Sequence, residues 1–208
     1  MALHPKFPKS PYEVLEPEYR WFPADEALRT QGYEKLLPPL VAELRKAVKK
    51  WRDENYEGAS ETSKALLTWW FKTEHSQFRY YYAQREAVET VIYLHDVVKV
   101  NDKYDLIRFD ASGVVSASMF PESWRRFVIK MATGSGKTKV LSLLIAWSYF
   151  HKLYEDGSNL ARNFLLITPN IIVLDRLRAD FDGLRIFGID PIVPDDGYQN
   201  QNWKSDFN

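Results

Sequence analysis

No cysteine occurs among the 208 residues, which excludes disulfides and cysteine-ligated metal sites and fits a reducing compartment. There is no excess of charge of either sign: 28 Lys and Arg balance 28 Asp and Glu. Without a global basic field, any contact with nucleic acid must be local. Histidine is scarce, and His4, His75, His95 and His151 never fall at the i,i+4 spacing of a helical metal site, so all four read as ordinary residues. Long apolar runs are lacking as well. VLSLLIAWSYF at 140–150 falls short of the ~20 residues a membrane span needs, and the opening MALHPKFPKSPYEVL has no apolar core of signal-peptide length. The expectation is a soluble, cytoplasmic protein with no membrane partner, carrying one good core or two small ones in its 24.4 kDa.

What the sequence does have is concentrated at 124–153, WRRFVIKMATGSGKTKVLSLLIAWSYFHKL. Phe127, Val128 and Ile129 read as a short strand, Met131 to Thr138 as a turn, and Val140 onward as a long apolar helix whose N-terminus faces an anion. Gly134 and Gly136 lack Cβ atoms and can turn backbone N–H groups inward, with Thr133 and Ser135 completing the loop that cradles phosphates. Lys137 is placed to reach the β and γ phosphates, and Thr138 to ligand magnesium. The pattern G-x-x-x-x-G-K-[ST] is met at its end, but Met131 stands where its first glycine belongs. ATP and Mg2+ are the implied cofactors.

Upstream, Pro5, Pro8, Pro11, Pro17 and Pro23 favour an extended arm over residues 1–33. After Pro38 and Pro39, a helical stripe of Leu40, Val41, Leu44, Val48 and Trp51 ends by Gly58. Its outer face carries Arg45, Lys46, Lys49, Lys50 and Arg52, read as solvated in preference to a phosphate contact. Ser60 or Thr62 can cap a second helix whose Trp69 and Trp70 read as packing residues rather than base-stacking ones. An aromatic lead-in and a helix occupy 78–98, with Gln84 near the helix start; its carboxamide offers the donor and acceptor that the edge of adenine requires. Short strands or a hairpin are expected over 100–123, where Asp102, Asp105 and Asp110 read as turn carboxylates without a metal. Residues 163–168, NFLLIT, read as a strand covered on both faces. A helix from Ile171 to Phe181 and a short strand near 186–193 follow.

MATGSGKT, the upstream YYYAQREAVE and the downstream LLITPNIIVLDRLRADF together resemble the N-terminal part of superfamily 2 helicase-like ATPases, most closely the restriction (Res) subunit of type III restriction enzymes. The resemblance implies an α/β fold: a partial RecA-like P-loop domain, a parallel sheet with flanking helices, over 76–208, preceded by an N-terminal arm and accessory helical region over 1–75. It implies adenine recognition by Gln84, phosphate and magnesium binding by Gly134, Gly136, Lys137 and Thr138, and nucleic-acid contact by Thr168, Pro169 and Asn170. Lys137 is the implied catalytic residue. Duplex DNA is the implied partner, with a methyltransferase or specificity subunit possible beside it.

Two departures accompany this resemblance. The interval from Gln84 to Lys137 is long, so either an insertion fills 100–123 or Gln84 is not the adenine reader. No D-E-x-H stretch is present; the weak stand-in is Asp190, which Pro191 follows in place of a second acid. Phosphoryl transfer needs that acid to hold metal and prepare water, so these 208 residues are expected to bind ATP and hydrolyse it poorly. The expected role is the ATP-binding portion of a DNA-dependent helicase or translocase, represented by a fragment that stops before its acidic motif. A stand-alone nucleotide-binding or interaction module without hydrolysis is the alternative.

Overall fold

The computed structural model describes residues 9–14, 40–102, 104–110, 113 and 127–207. Most of the expected N-terminal arm lies outside the described residues, as does about half of the stretch expected to form short strands or a hairpin over 100–123, whose described part holds a helix at Tyr104–Ile107 in place of a strand. Eight α-helices are described: α1 (Val41–Asp53), α2 (Glu61–Phe71), α3 (Tyr82–Ile92), α4 (Tyr104–Ile107), α5 (Lys137–Tyr154), α6 (Ile171–Phe181), α7 (Arg185–Ile189) and α8 (Trp203–Asp206). The chain divides into two compact units, Met1–Gly58 with Glu89–Lys130, and Ala59–Val88 with Met131–Asn208.

In the first unit, α1 forms because Leu44, Val48 and Trp51 recur on one face, while Glu43 in its first turn and Lys50 and Arg52 in its last complement the helix dipole. Its outer face is not a bare basic stripe, since Lys46 pairs with Glu43, Lys49 with Asp53 and Lys50 with Glu54. Asn55 and Tyr56 take positive φ and end the helix. Behind them Glu89 is fully buried. The Arg52 Nε donates to both of its carboxylate oxygens at 3.0 and 2.8 Å, and the Tyr56 hydroxyl donates at 2.7 Å. A carboxylate taken out of water is tolerable only with such partners. Leu94, Val100 and Phe109 form a small core that Leu40, Leu44, Ala47 and Tyr93 help to cover.

The second unit is built on α2 and α5, which pack together. Ser60 caps α2, its Oγ accepting from the Ser63 N–H at 3.1 Å. Glu155, just past α5, accepts from the Thr62 N–H at 2.7 Å. On α5, Val140, Leu143, Ala146, Trp147 and Phe150 are buried at the spacing of one helical face, and the Trp147 Nε1 donates to the Ser63 hydroxyl at 2.8 Å. The segment 190–207 then closes over the pair. Trp69 and Trp70 donate their indole N–H groups to the carbonyls of Pro191 and Ile192 at 3.0 and 2.7 Å. Tyr149 and Tyr154 donate to the Asp206 carbonyl and carboxylate, each at 2.8 Å. These aromatic side chains bury apolar area while supplying hydrogen bonds to a segment with no strand or long helix of its own. Tyr80 is the exception: its buried hydroxyl has no hydrogen-bond partner among the described residues, and burial pushes its phenol well above the usual range.

The expected α/β architecture is not what forms. Among the described residues there is no β-strand, only an isolated bridge between His75 and Phe78, so the parallel sheet of a RecA-like domain is absent from them. Residues 127–129 and 163–168 carry no helix or strand, and Leu165 and Ile167 are each 84% exposed. A helix closes its hydrogen bonds within itself, whereas a strand must borrow partners from a neighbour. Of the expected strand–helix–strand crossover, only the helix α5 and its successor α6 take their regular form. The strand expected near 186–193 is instead α7 followed by a turn; a short apolar run does not distinguish the two by periodicity.

Candidate nucleotide site

The loop at 131–136 leads directly into α5. Gly134 and Gly136 both adopt left-handed backbone, φ 79° and 81°, a region where side chains bearing a Cβ are strained. Gly136 is the N-cap of α5, its carbonyl accepting from the Lys139 N–H at 3.0 Å. The Ser135 hydroxyl donates to the Ala132 carbonyl at 2.7 Å and closes the turn. Lys137 is exposed and lays its Nζ over the same loop, donating to the carbonyls of Ala132 at 2.9 Å and Met131 at 3.3 Å. An exposed ammonium held at the N-terminus of an 18-residue helix is a concentration of positive potential.

Gln84 comes to this loop despite the long interval between them. Its Nε2 donates to the Ser135 carbonyl at 3.1 Å, and its Oε1 accepts from the Tyr81 N–H at 2.9 Å at the start of α3. The side chain is buried. A Cβ built on Gly136 would lie 2.1 Å from the Gln84 Nε2, so a side chain at 136 would displace the Gln84 amide, and the left-handed φ disfavours one independently. Both ends of the carboxamide proposed to read adenine are therefore engaged with the protein's own backbone.

One position missed in the sequence is Lys139. It lies two residues past Lys137, about 200° further around the helix, and forms an ion pair with the buried Asp190. The Phe78 ring centroid lies 6.0 Å from its Nζ. Burial pushes the Lys139 ammonium below its usual range, with Asp180 opposing that shift. Asp190, the weak stand-in for the missing acid, is thus committed to a lysine. The signal was present only as helical phase: alternate residues of one turn face opposite ways.

A family model described as type III restriction enzyme, res subunit, matches residues 77–205, well over half of the chain. The chain belongs to that family. It is accordingly a helicase-like ATPase of the type III restriction enzyme type. Comparison with curated proteins and with solved structures returned no match.

Within this Res-family chain, Thr168, Pro169 and Asn170 have local tasks. The Asn170 Oδ1 caps α6 by accepting from the Val173 N–H at 3.0 Å, and the Thr168 hydroxyl donates to the Asn170 carbonyl at 3.3 Å. Gln84, Ser135, Gly136 and Lys139 are drawn together by direct contact, whereas the described hydrogen bonds of 168–170 stay within their own turn and helix. No helix among the described residues is long and apolar enough to cross a membrane.

Proposed function

We propose that the chain binds ATP with Mg2+ on the loop at 131–138 and serves as the ATP-binding portion of a DNA-dependent helicase or translocase of the Res-subunit type. The observation that carries this reading is a loop with two left-handed glycines, capped onto the N-terminus of α5, with the exposed Lys137 ammonium over its backbone and Gln84 against its outer side. These residues fit a polyphosphate. Lys137 neutralises phosphate charge, the loop N–H groups of 133–136 donate to phosphate oxygens, and the Thr138 hydroxyl holds magnesium. Bound nucleotide supplies the phosphoanhydride whose cleavage powers movement. Gln84 reads adenine by exchanging its Ser135 or Tyr81 contact for the base edge.

Residues 76–208 carry this ATPase portion, and 1–75 form an accessory region. Thr168, Pro169 and Asn170 lie on the path of DNA, which the turn meets through exposed backbone at the start of α6. A methyltransferase or specificity subunit completes the assembly. With no D-E-x-H stretch in these residues and Asp190 paired to Lys139, this chain by itself binds nucleotide with little turnover, which keeps a binding module without hydrolysis as the second reading. The test is a calorimetric titration of the 208-residue chain with Mg-ATP beside Lys137→Ala. Saturable binding weakened at least about tenfold in the variant is expected, since the lysine is the main cation of the loop; a folded parent chain that takes up no ATP overturns the reading.

A further inference from the structure

The first turn of α5 carries two lysines with opposite surroundings. Lys137 is exposed over the 131–136 loop and, among the described residues, bonded to the loop carbonyls. Lys139 is half-buried, ion-paired to Asp190, beside the Phe78 ring and with its Cγ 3.8 Å from the position a Gly136 Cβ would take. Asp190 is held through its backbone. It begins the 190–192 turn, where the Ile192 N–H donates to its carbonyl at 2.7 Å, and the next two carbonyls accept from the Trp69 and Trp70 indoles. A continuous series of contacts therefore runs from α2, through the tryptophan-held turn and the ion pair, to the helix turn bearing Lys137 and Thr138.

We propose that Lys139 and Asp190 are positioning residues for the triphosphate: the ion pair fixes the rotation and tilt of the first turn of α5, so that Lys137, Thr138 and the loop amides are presented to phosphates in one arrangement. It does so from the far side of the helix without touching nucleotide. An ion pair anchored at both ends by packed elements is suited to this, because groups that orient a binding residue govern affinity through geometry.

This inference rests on the ATP reading above. The experiment is a Mg-ATP titration of the full chain and of its Asp190→Asn, Lys139→Met, Asp190→Glu and Lys139→Met/Asp190→Asn variants, each with its thermal midpoint measured. Asp190→Asn and Lys139→Met are expected to weaken Mg-ATP binding by about tenfold in the folded chain, the size of effect typical of supporting groups around a ligand-binding residue. The double variant should lose no more than either single one, because both changes remove the same contact, and Asp190→Glu, which keeps the charge, should stay within about twofold of the parent. Lys139→Met retains an apolar stem beside Phe78 and keeps the test decisive if Asp190→Asn fails to fold. A lowered midpoint with unchanged affinity would show a merely structural pair and overturn the inference. A folded parent chain that binds no ATP would instead remove the nucleotide reading itself, and a parent that binds while both single variants bind equally well removes only the positioning role.

Discussion

Two apolar runs of the same unit, 140–150 and 163–168, meet opposite fates. Within α5, Leu143, Ala146 and Phe150 are fully buried, while in the second run Leu165 and Ile167 stand almost wholly in solvent. Hydrophobicity does not separate them; the difference lies in what the backbone needs. As a helix, 140–150 provides its own hydrogen bonds and requires only side chains to pack against, which α2 and the segment 190–207 supply. As the strand its pattern suggests, 163–168 would require a neighbouring strand before its side chains could be buried, and no strand is present among the described residues. An apolar pattern states what a segment would bury, and its backbone states the condition.

The comparison is sharpest at Phe150, which stacks against Tyr154 and meets Trp203 edge-on with ring centroids 4.8 Å apart. Phe150→Ala is expected to cost about 3–5 kcal/mol by denaturant unfolding; a loss under about 1 kcal/mol would mean that the α5 face is far less well packed than it stands here. A smaller effect is expected at the partner helix, where Ser60 caps α2 and bonds the same Ser63 hydroxyl that receives the Trp147 indole. Ser60→Ala should lower stability by about 1 kcal/mol, and a neutral result would remove the cap from the account of why α2 starts where it does. The smallest change belongs to the exposed run. Leu165→Ser should alter stability by less than about 0.5 kcal/mol, and a loss comparable to that of Phe150→Ala would show that this run is buried against a partner in solution.

The longer helices α1, α2, α3, α5 and α6 were legible from apolar spacing, whereas the short α4, α7 and α8 were not read as helices. Ile171 to Phe181 is read directly from apolar spacing, and the structure gives Ile171–Phe181 with Asn170 as its cap. Ser60 announced α2, and the placing of Trp69 and Trp70 in packing follows from the unlikelihood of leaving adjacent indoles in water. The glycines of the 131–136 loop were legible because positive φ is a demand the residue type itself reveals. The sheet was inferred from apolar runs whose pairing partners a sequence does not specify. Lys139 and Asp190 escaped for a related reason: far apart in the chain, they are joined only once the tryptophans have fixed the 190–192 turn. Gln84 was found from its chemistry, but its hydrogen bond to Ser135 depends on a fold that brings α3 to the loop.

The packing of Gln84 against Gly136 makes the tolerance of these two positions unequal. Shortening Gln84 removes an obstacle and forces nothing on its neighbour. Adding a side chain at 136 meets two separate barriers, the nearby amide nitrogen and the left-handed φ, and relieving the first leaves the second in place. Steric dependence between them therefore runs one way: shortening residue 84 puts no strain on position 136, while no substitution at 84 makes position 136 free to change.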